Sequence, residues 1–334
     1  MEFDINSNIS FIQERINDLE KITEKQNPYT RLVFSKEFYN GRSWLRDQYT
    51  SLDLSVSTDE VGNLIGLLKT NKKNEQLVVI GSHIDTVPSG GRYDGIAGVV
   101  SALCVINHIR KNDIDLPFNL AVYDYLGEEL NDWGTSCIGS RGLAGVLNKE
   151  ILSRKNTAGL VLKEEIDKIG GNSALLNKPL PVIENILACL ELHIEQGPIL
   201  ETEEIDIGVV THGQGLKWLE VELSGTEQHT GTTPMHVRKD TSLAMSEIIL
   251  AVNNIANKNQ PNALGSVGHI EVSPNSRNVI AGQSIFTIDF RSPDIEKLNK
   301  MEKELKLLAI DICKKYKVNF NMKQIGGFDP VTFL

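Results

Sequence analysis

Residues 81 to 95 read GSHIDTVPSGGRYDG, directly after the apolar run Leu77-Val78-Val79-Ile80 and directly before an Ala- and Val-rich segment from Ile96 to Ile109. A short apolar run, a Gly-rich loop and an apolar helical segment form the order buried strand, loop, helix. That order is the repeating unit of an open α/β sheet, in which sites form beyond the carboxyl ends of the strands. His83 and Asp85 emerge at such an end, and Asp94 lies in the turn that opens the helix. A single His-x-Asp of this kind is usually no more than a polar strand end in a solvated loop.

Two further strands change that reading. The run Phe118 to Tyr123 leads to the adjacent acids Glu128 and Glu129, and the run Ile186 to Leu192 ends on His193, followed by Ile-Glu-Gln-Gly-Pro. Three apolar runs thus deliver His, Glu-Glu and His towards one sheet edge. Imidazole and carboxylate without thiolate suit Zn, Mn, Co or Ni rather than an iron–sulfur or structural Cys-zinc site. Asp94 could bridge two such ions.

At these residues the chain resembles the zinc-dependent amidohydrolases that include N-carbamoyl-L-amino-acid hydrolases, ureidopropionases and allantoate amidohydrolases, a branch of the superfamily of di-zinc aminopeptidases. The likeness runs from about residue 60 to the last residues. It implies that His83, bridging Asp94 and His193 hold one divalent ion and that Asp94 and Glu129 hold a second. It gives Glu128 the role of general base and Asp85 that of the acid orienting His83. In the peptidase branch a carboxylate usually stands where His193 does, so HIEQGP points to the carbamoylases. Gly139-Ser140-Arg141 matches a family stretch, whereas Leu130-Asn131-Asp132-Trp133 departs from the usual Gly-Ser-Arg-Phe.

From Lys217 onward the pattern is strand KWLEVELSG, a loop with His229, helix Ser242 to Ala256, strands SVGHIEVS and SIFTIDFR, helix Ile295 to Lys315, and strand KVNFNMKQI. This βαββαβ order is the split βαβ arrangement of ferredoxin-like domains. Asp240 or Thr241 and the run Ser292-Pro293-Asp294 provide the helix starts, with Pro expected at a first helical position. The resemblance agrees, because the family inserts such a lid and dimerises through it. The expected fold is therefore α/β, a mixed, mostly parallel sheet with flanking helices in residues 1–211 and 329–334, plus an inserted ferredoxin-like α+β lid in residues 212–328.

Within the lid, His229 in GTEQHTGTTPMHVRKD resembles the family histidine that stabilises an oxyanion. Arg291 resembles the residue that grips the substrate carboxylate, a task suited to the bidentate guanidinium fork. Asn278 and, in the first domain, Gln196 match substrate-binding positions, although Ala281 replaces a common Pro. His108, His212, His236 and His269 lie in no such motif.

The 334 residues, 40% of them hydrophobic, are enough for one large or two ordinary domains. A net charge of −10 argues against nucleic-acid or anionic-membrane partners. Cys104, Cys137, Cys189 and Cys313 have no Cys-x-x-Cys spacing, and three sit in apolar runs, which predicts buried reduced thiols. The first residues carry no basic-then-apolar leader, and no apolar run approaches the ~20 residues of a membrane span, which makes the cytoplasm the expected compartment. Earlier segments read as scaffold: an amphipathic helix over 9–24, a helix over Lys36 to Tyr49, two short extended pieces around Gly62-Asn63, a Lys-rich hairpin over 69–76, and a helix over 157–170.

The expectation is a metal-dependent hydrolase of an amide or ureido C–N bond in a small N-carbamoyl amino acid or ureido acid such as allantoate. It would be a homodimer using two divalent ions and a small carboxylate substrate. The rival enzyme reading is a di-zinc aminopeptidase or N-deacylase, and the rival from another class is an inactive relative acting as a dimeric binding protein. A nucleotide-binding domain is disfavoured, because no Gly-x-Gly-x-x-Gly follows the first strand. The family supplies a last metal-ligating histidine from a Ser-Gly-Ala-Gly-His-Asp-type motif after the lid. The text ends at GGFDPVTFL, so the resemblance implies a C-terminally truncated chain with an incomplete second metal site and weak activity.

Overall fold

A computed structural model describes residues 4–70 and 75–333. The chain forms two compact units, the first ending at Ile199 and the second beginning at Leu200.

The first unit opens with α1 (Ile5–Glu20) and α2 (Lys36–Ser51). Each is capped by the side chain before it: Asp4 accepts from the Ser7 amide at 3.1 Å and Ser35 from the Phe38 amide at 3.1 Å. Then follow β1 (Ser55–Thr58), β2 (Leu64–Leu68), β3 (Leu77–Ser82), α3 (Ile96–Lys111) and β4 (Asn119–Asp124). Short helices α4 (Ile138–Leu143), α5 (Lys149–Leu152) and α6 (Leu162–Lys168) precede β5 (Ile186–Leu190), and α7 (Ile199–Thr202) stands at the junction of the units.

The five strands lie in the order β1-β2-β4-β3-β5. β3 is parallel to both β4 and β5, while β2 runs antiparallel to β1 and β4, so β2 alone opposes the other four. The sheet is mixed, as expected, but its pairings divide evenly, two parallel and two antiparallel. β4 is buried at every residue and β3 at all but Ile80, the mark of strands covered on both faces. Val99 and Leu103 of α3, Leu45 and Tyr49 of α2 and Leu19 of α1 complete that core.

The second unit contains β6 (His212–Gly213), β7 (Gly215–Ser224), β8 (Gln228–His229), α8 (Thr241–Lys258), β9 (Leu264–Ser273), β10 (Val279–Ile280), β11 (Gln283–Ser292), α9 (Ile295–Tyr316), β12 (Asn319–Phe328) and β13 (Val331–Thr332). Its four long strands pair antiparallel throughout in the order β12-β7-β11-β9, with α8 after the first and α9 before the last. This is the βαββαβ topology read from the sequence. On β11, Ser284, Phe286, Ile288 and Phe290 are buried, while Asp289 and Arg291 point the other way by the two-residue period of a strand. Two small ladders, β8 with β10 and β6 with β13, complete the unit.

Several local expectations are corrected. The first helix spans residues 5–20 rather than 9–24, so Ile22 falls outside it and Ile9 is exposed. The helix expected over 157–170 is only α6, because Gly159 takes φ +80° and Lys155 bridges Val161 before the helix can start. Pro293 precedes the capping residue Asp294 of α9 and does not occupy the first helical position. All four cysteines are free, but only Cys104 and Cys313 are buried; Cys137 is half-buried and Cys189 exposed on β5. β5 is an edge strand whose Leu187 and Leu190 are exposed, although its composition predicts burial. Of the expected hairpin over 69–76, residues 71–74 lie outside the described residues. No helix among the described residues is long and apolar enough to cross a membrane.

Candidate active site

β3, β4 and β5 are neighbours that point the same way, so the segments leaving them meet beyond one sheet edge. His83 leaves β3 and His193 follows β5, while Asp94 sits at the start of α3. Ligand atoms of these three residues lie within 4.8 Å of one another. Asp94 Oδ1 is 3.0 Å from His193 Nε2 and 3.8 Å from His83 Nε2, and the two imidazole rings stack with centroids 5.9 Å apart. Ligands bonded to one ion at about 2.0–2.2 Å stand roughly 3 to 4 Å from each other, so the spacing suits a single divalent ion.

The hydrogen bonding of His83 supports that fit. Its ring is buried, and Nδ1 stands 2.9 Å from the Asp85 carbonyl oxygen, which can only accept. Nδ1 therefore carries a proton, and Nε2 is the nitrogen that faces the cluster. Nε2 is buried and has no hydrogen-bond partner among the described residues. Burial opposes charging this imidazole, yet the hydrogen bond and charge of Asp85 and the charge of Glu128 outweigh it and raise the pKa to about 10. An acidic pocket that holds a proton this firmly is short of positive charge. His/Asp/His donors around an unpartnered nitrogen thus suit a divalent ion bound through nitrogen and oxygen.

Glycine makes the convergence possible at two positions. At Gly95, with φ +67°, a Cβ would stand 2.5 Å from His83 Nε2, and at Gly98 it would stand 2.3 Å from the Leu192 carbonyl oxygen. α3 therefore approaches both histidine-bearing segments through glycine.

Both glutamates follow β4. Glu128 Oε2 lies 3.5 Å from His83 Nε2. Glu129 is outside the three-residue group, but it feels the cluster: burial and then the charge of Asp94 push its carboxyl up to about 7. Asp85 ties the two strand ends together, since its Oδ1 accepts from the Glu128 amide at 3.2 Å and its Oδ2 from the Glu129 amide at 3.1 Å. The sequence suggested that the Asp85 carboxylate orients His83. The structure gives the close ring contact to the Asp85 backbone, with the carboxylate oxygen 3.6 Å from Nδ1. Gln196, at φ +56°, donates from Nε2 to Asp94 Oδ2 at 2.5 Å.

The remaining predicted residues belong to the second unit. The pairing Val279↔His229 and the bond from the Thr230 amide to the Asn278 carbonyl at 2.9 Å bring His229 and Asn278 side by side. His229 Nδ1 accepts from the Gly231 amide at 3.1 Å, which leaves the proton on Nε2 and makes that nitrogen a donor. Arg291 is exposed on β11, its Nε and Nη2 forked onto the Asp289 carboxylate at 2.8–3.2 Å.

Sequence reasoning passed over the buried polar frame beneath the first-unit cluster. Arg42 Nε meets Asp124 Oδ2 at 2.7 Å, and Asp124 Oδ1 accepts from the Ile84 amide at 3.0 Å, between His83 and Asp85. Arg31 donates through Nε to the Ile84 carbonyl at 2.7 Å and through Nη1 to the carbonyls of Leu19 and Ile22. Asn63 Oδ1 accepts from the Leu126 amide at 2.9 Å, bracing the exit from β4. The one sequence signal was an aspartate closing an otherwise apolar strand, Asn119-Leu-Ala-Val-Tyr-Asp124.

Comparison with known proteins agrees with this architecture. Residues 79–332 match the peptidase family M20/M25/M40. The chain is 39% identical, over 88% of its length and 70% of the relative's, to an N-carbamoyl-L-amino-acid amidohydrolase of Rhizobium meliloti. It is 32% identical to a ureidoglycolate hydrolase of Arabidopsis thaliana, over 96% of this chain and 69% of that one. Among solved structures, a hydantoinase/carbamoylase family amidase of Burkholderia multivorans superposes with a TM-score of 0.87 at 33% identity, covering 96% of this chain and 78% of its own. The matched residues include parts of both units and all of the clustered residues, and the chain belongs to the peptidase family M20/M25/M40.

Proposed function

We propose that the protein is a metal-dependent hydrolase of a non-peptide C–N bond, the amide or ureido bond of a small N-carbamoyl amino acid or ureido acid such as allantoate. The observation that carries this reading is the buried, unpartnered Nε2 of His83 facing Asp94 and His193, in a chain whose relatives are named amidohydrolases of such compounds. His83, Asp94 and His193 would hold one divalent ion, and Asp94 with Glu129 a second, as Zn or as Mn, Co or Ni. Ions held by these residues would lower the pKa of water to about 7 and polarise a carbonyl oxygen.

The chain's own residues do the rest. Glu128, half-buried and 3.5 Å from His83, takes the proton of the attacking water and returns it to the leaving nitrogen. Asp85 holds His83 in the required tautomer through its carbonyl and holds the backbone of both glutamates through its carboxylate. His229, with its proton on Nε2, donates to the oxyanion, a contact whose loss typically lowers the rate about 10² to 10³-fold. Arg291 grips the substrate carboxylate as it grips Asp289, and Asn278 and Gln196 position the substrate. Hydrolysis would release ammonia and, from a carbamoyl substrate, carbon dioxide. Residues 1–211 with 329–334 act as the catalytic domain and 212–328 as a lid that pairs two chains, in the cytoplasm.

The test compares Glu128→Gln with Glu129→Gln on a panel of carbamoyl, ureido and acyl amino acids, with bound metal determined by elemental analysis. Glu128→Gln is expected to retain metal and lose turnover by about 10² or more, and Glu129→Gln to lose metal. Metal loss from Glu128→Gln with retention in Glu129→Gln would reverse the two roles.

A further inference from the structure

We infer that a cavity of about 450 Å³ beside the cluster receives an apolar side chain of the substrate, so that the chain prefers N-carbamoyl amino acids with bulky aliphatic or aromatic side chains. This rests on the ureido-hydrolase reading and narrows its substrate class. The cavity lies wholly within the first unit. Asp85 and Glu129 are among the residues that line it, and Leu32, Phe34, Pro88, Leu130, Trp133 and Leu160 form much of its wall. Its size is within the roughly 300–1,000 Å³ of small-molecule sites and exceeds what a substrate without a side chain would fill.

Several polar groups on its wall are already engaged. Ser35 Oγ accepts from the Phe38 amide, Asn156 Oδ1 from the Leu160 amide, Asp132 from the Thr157 hydroxyl, and Glu165 pairs with Lys168. Against the apolar part of the wall, Leu32, Phe34, Pro88, Leu130 and Leu160, a polar substituent would give up water without gaining a partner, whereas an alkyl or aryl group loses nothing of the kind. The wall is also braced. Trp133 Nε1 donates to the Leu160 carbonyl at 2.8 Å, and its ring meets Phe34 edge-on at 5.5 Å. A braced aromatic wall keeps its shape before a ligand arrives, which favours discrimination by fit.

The experiment measures kcat/KM of the metal-loaded full chain for N-carbamoyl-L-phenylalanine, N-carbamoyl-L-leucine, N-carbamoylglycine and allantoate. The two bulky substrates should exceed N-carbamoylglycine by at least about tenfold, since one methylene in an apolar pocket is worth about 10- to 200-fold. Leu160→Trp, at an exposed loop position whose carbonyl contact to Trp133 is a backbone one, narrows the cavity. It should erase that advantage while N-carbamoylglycine turnover stays unchanged. If its thermal melt shows misfolding, Leu160→Phe, a smaller addition at the same exposed position, serves in its place, with the same outcome expected. Equal turnover of bulky and small carbamoyl substrates, or an equal loss for all of them in a folded variant, overturns the pocket and leaves the hydrolase reading standing. Cleavage of none of the four overturns both.

Discussion

A proton and a metal ion compete for the same atom at His83. Without metal, Nε2 holds a proton up to about pH 10, and the carboxyl of Glu129 stays protonated up to about pH 7. An ion must displace those protons, because ligands bind metal in their deprotonated forms. The sign follows: affinity rises with pH, by about tenfold per pH unit for each proton displaced, and falls more steeply below pH 7, where Glu129 joins. Calorimetric titration in buffers of differing ionisation heat should detect about one proton released per ion near pH 8. Affinity that does not change between pH 6 and 9 would contradict it. His83→Ala removes the buried nitrogen itself and should abolish most metal uptake while the far-UV spectrum of the protein is retained.

At the scale of elements, the cluster depends on how closely α3 approaches the segment after β5. A methyl group at Gly98 would meet the Leu192 carbonyl at 2.3 Å, which forces one backbone away from the other. Gly98→Ala is expected to keep its helix and lower metal affinity at least about tenfold by displacing His193, since a misplacement of about 1 Å is costly at preorganised sites; unchanged affinity would show that the two segments move together. The buried frame gives a second prediction. Arg42→Ala leaves Asp124 buried and unpaired, which should destabilise the protein by about 3–5 kcal/mol in urea unfolding. The loss should extend to the metal site, because Asp124 also holds the Ile84 amide.

For the whole molecule, the proposed lid predicts association. Light scattering should give twice the mass of one chain, and a mixture of His229→Ala and Glu128→Gln chains should recover activity through hybrid sites if His229 serves the partner's cluster. A strict monomer would remove the basis for that exchange. The antiparallel sheet of the second unit, with α8 and α9 against one face, presents Trp218 and Arg291 on the other.

The sequence by itself carried whatever is local or periodic. Apolar runs marked β3, β4 and β5, the change from a two-residue period to a helical one drew the βαββαβ order, and His83, Asp94 and His193 stood at strand and helix ends where ligands gather. What stayed hidden depends on contacts between distant segments. Nothing in the text around Arg31, Arg42 or Asn63 reveals that they brace residues 84, 124 and 126, because a hydrogen bond across more than 50 positions leaves no periodic trace. Composition predicted burial for β5 and Cys189, but exposure depends on what packs against a strand, and β5 lies at the edge. The choice of the Asp85 carbonyl over its carboxylate as the closer partner of His83, and the enclosure of a cavity by residues 32 to 165, were likewise decided only when the backbone took its path in three dimensions.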